Sequence, residues 1–400
     1  MTVRAAVVLA AGEGTRLRPL TRNRPKPMLP AADRPILEHV FDALIGAGIE
    51  RLHVVVGYKR DRVQDHFGPT YRNIPINYIP QHKQLGSGHA LLQARSAVAG
   101  EDGLLVVNGD QVVEQQIVAD VLDAFESGEA SAALAATEGS DVSHYGAVVM
   151  DGDRVTELVE KPGTDNYRLL NAGVYAFDQS IFDAIEQTPR VQGELALTDT
   201  LVRLIDSDEV VQGVITEGLW VDATYPWDLL DVAQDLLFHG RVTEPERGDS
   251  VWVADTAQVH EDATLQGPVV VGPDCDVRPG AVVGPYTAVG RNATVGANAV
   301  VERSVLDTDT RVGPNSTLLD CVTGQGVHLG AGATVADGPG DVRVEDEVFV
   351  DQRLGAVLAD RVRAEGDVSF APGTLVGPNA RLHTGVTVSK NVKEGAEVLR

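Results

Sequence analysis

Aromatic side chains make up only 5% of this 400-residue chain, cysteine occurs twice, and six of its 33 basic residues are lysine. Each scarcity excludes something. Cys275 and Cys321 lie far apart, with no CxxC pair and no histidine at metal-ligand spacing. That excludes a disulfide framework and a zinc site, and suits a reducing compartment. No apolar run approaches the roughly 18 residues of a membrane helix. The opening run before Gly12 is short and leads into no exporting cleavage pattern, so it is expected to be a first buried strand of a soluble, cytoplasmic protein. The 58 acidic residues leave a net charge of -25, scattered in ones and twos. This is the pattern of a halophilic, solvated surface rather than of an acidic face for a basic partner. Such a chain repels nucleic acid and anionic lipid, so a site for a phosphorylated ligand must carry its own positive field. The charge also predicts a higher melting temperature in molar than in low salt, because screening relieves self-repulsion. A melting temperature unchanged or lower in high salt would contradict that.

What is abundant is glycine, with 41 residues, and two different periods. A chain of this length favours two domains. From residue 1 to about 235, apolar runs at 5–9 and 53–56 alternate with helical patterns at 36–47 and 61–67. That βαβα order predicts a mixed, mostly parallel sheet of Rossmann-like α/β type, covered on both faces, with its ligand crevice at the carboxyl ends of the strands. From Val253 an aliphatic residue recurs every six positions through Val259, Leu265, Val271, Val277, Val283, Val289, Val295 and Val301. This hexapeptide register predicts a left-handed parallel β-helix, each anchor buried under the next coil. The register resumes at Val312 and Leu318 and returns at Phe370, Val376, Leu382 and Val388. The expected organisation is therefore an α/β domain over 1–237, a linker at 238–250, and a β-helix over 251–400 with a loop-rich insertion at about 319–366.

The positive field lies in the loop after the first strand. From Arg16 to Lys26 stand five basic residues (Arg16, Arg18, Arg22, Arg24 and Lys26) and no acid. Gly12 and Gly14 let backbone N–H groups approach a polyphosphate, and the cations neutralise it. A triphosphate is the natural occupant. The third glycine of a GxGxxG fingerprint is absent and no GK[ST] follows, which excludes the Rossmann dinucleotide and Walker readings.

This stretch, Leu9-Ala10-Ala11-Gly12-Glu13-Gly14-Thr15-Arg16 through Lys26, resembles the signature of sugar-1-phosphate nucleotidylyltransferases. These are the glucose-1-phosphate thymidylyl- and uridylyltransferases and the N-acetylglucosamine-1-phosphate uridylyltransferases. The similarity continues in order through Gln81 to Ala90, Asn108-Gly109-Asp110, Tyr145-Gly146, Glu160-Lys161-Pro162, Asn171-Ala172-Gly173 and Trp220-Val221-Asp222. Pro226-Trp227-Asp228 then follows as in archaeal members. The resemblance implies nucleotide binding by Leu9, Ala11, Gly12, Gly14, Thr15, Arg16, Lys26, Gln81, Gly86 and Ser87. It implies sugar-phosphate binding by Asn108, Gly146, Glu160, Lys161 and Asn171, and Mg²⁺ held by Asp110 and Asp222. Singly, each residue also has a bland role: Asp110 as a helix cap, Asp222 in a turn, Glu160 and Lys161 as a surface pair.

The implied reaction joins UTP or dTTP to glucose-1-phosphate or N-acetylglucosamine-1-phosphate, with Arg16 and Lys26 stabilising the departing pyrophosphate. His89 is expected at a helix start rather than as an acid or base. The β-helix resembles both trimer-forming modules and an acetyltransferase that would use acetyl-CoA. Leu329-Gly330-Ala331-Gly332 keeps part of the latter pattern. Asp337-Gly338-Pro339 stands where bifunctional relatives carry Asn-Leu-Arg, and His328 is expected to cap a coil. A homo-oligomer built through the β-helix is the preferred reading. A catalytically dead, regulatory relative is the reading from another class, and the presence of Asp110, Asp222, Lys26 and Lys161 argues against it.

Overall fold

Four runs of β-branched and small apolar residues form parallel neighbours: β1 (Ala5–Ala10), β2 (Arg51–Val56), β3 (Ile74–Pro80) and β4 (Gly103–Asn108). In β1, β2 and β4 a near-continuous hydrophobicity fits strands buried on both faces, and Val7, Val54 and Val106 are fully buried. The computed structural model describes residues 2–128, 130–139, 145–160, 162 and 167–400. The chain partitions into two compact units, residues 1–13 with 36–221, and residues 14–35 with 222–400.

The first unit is built on one ten-stranded mixed sheet. To the first four strands it adds β5 (Ala132–Glu138), β6 (Gly146–Asp151), β7 (Arg154–Glu160), β8 (Leu169–Asp178) and β9 (Val211–Ile215). The order is 6-7-9-5-8-4-1-2-3, with Thr70–Tyr71 at the far edge. One half, 3-2-1-4, is parallel throughout, while β8 enters antiparallel to both β4 and β5. The order reverses between β1 and β4, which opens a crevice beyond their carboxyl ends. Helices form where the apolar period becomes 3.6. In Gln115–Ser127, for example, Ile117, Val118, Val121, Leu122 and Phe125 make the buried stripe.

The second unit contains helix Asp228–Phe238 and a parallel β-helix of three sheets. Val251 pairs with Val269, and Val269 with Thr287, so the coils begin in steps of 18 residues. The expected anchors Val271, Val277, Val283, Val289, Val295 and Val301 are buried in one core. Two expectations are corrected. The segment 238–250, read as linker, contains strand Glu246–Gly248, which pairs antiparallel with Val251–Val253. The register also persists through most of 319–366: Thr323, Leu329 and Val335 pair with Leu358, Ala364 and Phe370. The periodic reading lost it because Val301 to Leu306, and Leu318 to Thr323, close a side in five residues rather than six. The insertion is only the hairpin Gly340–Val344 with Glu347–Gln352, whose Phe349 packs on Tyr225 and Trp227. His328 lies in strand His328–Leu329 between Arg311 and Arg363 of the neighbouring coils, so it is a strand residue and not a cap.

Residues 14–35 and helix Asp228–Phe238 belong to the β-helix unit, whereas the sequence had assigned both to an α/β domain ending at 237. The helix lies against strands Thr287–Val289, Val305–Leu306 and Cys321–Thr323. Among the described residues no helix is long and apolar enough to cross a membrane.

Candidate active site

The parallel pairing of β4 with β1 positions the first expected residues. Gly109 N–H donates to the Leu9 carbonyl at 2.9 Å. A Cβ at residue 109 would stand 3.0 Å from Val8 Cγ1 and 3.1 Å from Ala10 Cβ. Glycine there lets Asn108 and Asp110 flank the carboxyl edge of the sheet at the switch point. Ala11, at the end of β1, is buried, and its carbonyl accepts from Tyr58 N–H and Gln84 Nε2. A Cβ at Gly12 would meet nothing within 4 Å.

Five expected residues from five chain segments, Ser87, Asn108, Gly146, Glu160 and Asn171, line one cavity of about 790 Å³. A bulge in β8 makes this possible, because its register on β5 shifts between Asn171 and Tyr175. In the bulge Asn171 Oδ1 accepts from Gly173 N–H at 3.1 Å, and its Nδ2 donates to the Tyr175 hydroxyl at 2.8 Å. Burial drives the Tyr175 hydroxyl pKa far above its ordinary value, so it stays protonated. Trp220 Nε1 donates to the Ala172 carbonyl and meets the Tyr145 ring edge-on at 5.2 Å. The cavity mixes amides with the carboxylates Glu160, Glu194 and Asp199, a set suited to the hydroxyls of a sugar. Lys161, the expected phosphate cation, and His144 lie outside the described residues.

The sequence reading missed the wall formed by Gln192, Glu194, Thr198 and Asp199, together with Gln111. Its only local signal was a polar Gln192-Gly193 turn ahead of the amphipathic helix Leu197–Asp206. That wall hangs on the expected base-reading segment: Leu195 N–H donates to the Leu85 carbonyl at 2.7 Å, Gly88 N–H to the Leu195 carbonyl at 2.9 Å, and Leu197 N–H to Ser87 Oγ at 2.9 Å. Gly86 has φ +96°, and a Cβ there would lie 2.4 Å from the Leu195 carbonyl oxygen. Gly86→Ala should therefore push the wall outward and lower kcat/KM on the order of 10²-fold, the scale of a 1 Å misplacement. Steady-state kinetics at unchanged helical content would measure it, and a loss below threefold would contradict the close approach.

Gln81 lines a second cavity of about 500 Å³ with Gly57, Tyr58, His82 and Gln84. Its Nε2 donates to the Gly86 carbonyl at 3.2 Å and meets His89 Nδ1 at 2.9 Å. Burial, with Arg190 adding to it, lowers the His89 pKa. The ring is then neutral at pH 7 and its Nδ1 can accept. His89 is thus in the first turn of helix Ser87–Gln93, as expected, and bonded to Gln81 as well.

Gly14, Thr15, Arg16, Lys26 and Asp222 belong to the other unit. Gly14 has φ +66°, and a Cβ there would lie 2.8 Å from Lys26 Cβ. Its carbonyl accepts from Leu17 N–H at 3.1 Å and from Thr21 Oγ1 at 2.8 Å, folding the loop into short 3₁₀ turns. Arg16 is exposed. Lys26 Nζ lies 2.6 Å from Asp222 Oδ1, with side-chain exposures of 11% and 7%. Asp222 Oδ2 accepts from Thr224 Oγ1 at 3.1 Å. The five-cation field expected from the sequence is corrected here: Arg24 is buried against Asp307 and Asp360, so its charge is neutralised by the β-helix.

Beside this pair, Asp228 Oδ2 accepts N–H bonds from Thr224 and Tyr225 at 2.8 and 2.7 Å. Burial pushes its pKa up to about 6; the two backbone bonds pull it down, and Asp222 and Asp231 raise it. A folded-state value above the ordinary one means that the native state binds the extra proton. Its contribution to stability therefore falls as pH rises from about 4 to about 6 and is flat above that. Asp228→Asn keeps an acceptor and removes the titration. Relative to the parent, the variant should gain on the order of 2 kcal/mol between pH 4 and 7 in chelator. Parallel urea-unfolding curves across that range would contradict it.

The Nucleotidyl transferase family profile matches residues 5–238, and a GMPPB C-terminal domain profile matches residues 265–360. The Bifunctional protein GlmU of Methanocaldococcus jannaschii is 32% identical over 428 aligned residues, covering 99% of this chain and 97% of its own. The UTP--glucose-1-phosphate uridylyltransferase AglF of Haloferax volcanii is 37% identical over 235 residues, 58% of this chain and 96% of its own. Among solved structures, the UTP-bound UGPase from Acinetobacter baumannii is 25% identical with a TM-score of 0.53, covering 60% of this chain and 94% of its own. A mixed sheet with its switch-point crevice, a polar cavity at that edge, and a matched segment spanning both make this chain a member of the nucleotidyl transferase family, with a parallel β-helix behind the transferase segment.

Proposed function

We propose that this chain transfers a nucleoside monophosphate from UTP or dTTP to glucose-1-phosphate or N-acetylglucosamine-1-phosphate, giving a nucleotide-sugar and pyrophosphate. The observation that carries the reading is the cavity lined together by Ser87, Asn108, Gly146, Glu160 and Asn171, a polar pocket with ample room for a sugar. Asn108 and Asn171 would bond the sugar hydroxyls, and Glu160 would accept from them. Lys161 would meet the sugar phosphate. Gln81, its amide nitrogen committed to Gly86 and His89, would offer Oε1 to the imide N–H of a pyrimidine. Leu9, Ala11, Gly12, Gly14 and Thr15 would line the nucleotide's path, and Arg16 and Lys26 would take up charge on the departing pyrophosphate. The phosphate oxygen of the sugar attacks the α-phosphorus in line, so positioning and charge neutralisation carry the rate and no side-chain nucleophile is required.

Asp110 and Asp222 are proposed as Mg²⁺ carboxylates. Among the described residues no group of three or more His, Cys, Asp or Glu could cage a metal. A hard cation that keeps most of its waters and needs one or two carboxylates fits that donor set, whereas zinc does not. Bound there, Mg²⁺ would offset the negative charge of the transferring phosphoryl group. The transferase segment is proposed as residues 1–237, the β-helix as 251–400, the assembly as a homo-oligomer through the β-helix, and the location as the cytoplasm.

The test is pyrophosphate release with Mg²⁺ in high salt, across UTP, dTTP, ATP and GTP paired with glucose-1-phosphate, N-acetylglucosamine-1-phosphate and glucosamine-1-phosphate. Release with a pyrimidine pair supports the proposal, and silence across the panel in folded protein overturns it. The full-length match to a protein named bifunctional favours a second reading, acetyl transfer from acetyl-CoA by the β-helix. Thiol release from acetyl-CoA with glucosamine-1-phosphate decides it.

A further inference from the structure

Arg24 lies two residues before Lys26, yet it takes no part in the basic surface that the loop's composition suggests. Its guanidinium is 3% exposed and contacts two carboxylates of the β-helix, Asp307 Oδ2 at 2.5 Å and Asp360 Oδ1 at 3.3 Å, themselves 9% and 7% exposed. The β-helix builds this seat from three successive coils. Asp307 follows strand Val305–Leu306 and Asp360 follows strand Ala356–Leu358, at the same corner of the same sheet. The corner between them carries Gly324, where a Cβ would stand 2.5 Å from Asp360 Oδ1. The carboxylates are held in turn: Thr308 N–H donates to Asp307 Oδ1 at 2.7 Å and Gln325 N–H to Asp360 Oδ1 at 3.0 Å. Arg24 Nη1 also reaches the Met28 carbonyl at 3.3 Å, tying the guanidinium to the turn that contains Lys26. Lys26 Cβ in turn is the atom against which Gly14 packs.

A buried cluster of this kind adds little stability that well-packed apolar side chains would not supply, but two buried ion pairs on one guanidinium fix its position. We propose that Asp307 and Asp360 are positioning residues for nucleotidyl transfer: clamped on Arg24, they set the path of residues 14–35 and with it the placement of Arg16 and Lys26. The β-helix then holds the transferase's own phosphate loop, a role separate from oligomerisation and from acetyl transfer. The proposal rests on the reading of that loop as the triphosphate's.

The experiment uses the full chain, with Asp307→Asn and with the apolar replacement Arg24→Met/Asp307→Leu/Asp360→Leu. The readouts are KM for each substrate, kcat, and hydrogen exchange of peptides covering residues 14–35. In Asp307→Asn the triphosphate KM should rise at least about tenfold, with the sugar-phosphate KM changing less than twofold. Exchange in 14–35 should accelerate while the sheet of the first unit stays unchanged. The apolar variant should melt near the parent temperature and still show the raised KM and the faster exchange. Unchanged KM and exchange in either folded variant overturns the proposal, as does a loss confined to melting temperature. If the parent releases no pyrophosphate, the functional reading fails, and the exchange measurement, which needs no substrate, decides the clamp.

Discussion

Asp110→Ala should lower pyrophosphate release at least about 10³-fold while leaving the fold intact. The backbone at this point is held by Gly109, whose N–H bonds Leu9 and whose lack of a Cβ admits Val8 and Ala10. The alanine therefore removes a carboxylate without disturbing the pairing of β4 with β1. In the proposed chemistry that carboxylate helps to hold the cation that offsets charge on the transferring phosphoryl group, and loss of such charge stabilisation is worth 10²–10³ or more in rate. Release is measured against far-ultraviolet circular dichroism on the same preparation. A folded variant that keeps more than a tenth of the parent rate would remove Asp110 from the mechanism.

Lys26→Met should have two effects of opposite dependence on magnesium. In chelator the variant leaves Asp222 buried without the cation that stands 2.6 Å from it, and breaking such a buried pair costs about 3–5 kcal/mol. If Asp222 holds Mg²⁺ as proposed, the cation no longer competes with an ammonium in the variant, so magnesium should raise the variant's melting temperature more than the parent's. Activity should stay about 10²-fold down even at saturating Mg²⁺, because the cation proposed to take up charge on the pyrophosphate is gone. Calorimetry with and without Mg²⁺ tests both parts. If magnesium stabilises the variant no more than the parent, Asp222 is not a metal ligand.

Much of the lining of the polar cavity was legible because its residues fall, in a fixed chain order, in the segments that resemble the nucleotidylyltransferase signature. Ser87, Asn108, Gly146, Glu160 and Asn171 could be named one by one, and the sheet brings them to one edge. The wall at 192–199 was not legible. Its residues are ordinary polar side chains, and what gives them a place is backbone bonding of Leu195 and Leu197 to the helix start at Gly86 to Gly88, a long-range contact with no periodic trace. Arg24 is the sharper case. Composition made it one of five equivalent cations, and its neighbours in the chain do not distinguish it from Arg22, which is exposed.

By itself the sequence determined the two architectures and the chemistry class, because each rests on a local regularity. Apolar runs buried on two faces make parallel strands, a six-residue aliphatic period makes a β-helix, and a glycine-rich basic loop after the first strand suits a polyphosphate. The tertiary structure alone decided which charges are spent inside the protein and where the coil register runs. It put Arg24 on Asp307 and Asp360 and Lys26 on Asp222, and it carried the coils past two five-residue sides that the six-residue count could not follow. The physical reason is the same for each. A buried charge must find its partner wherever packing brings one within reach, and strand pairing tolerates a lost corner residue, so neither outcome is written in the spacing of nearby residues.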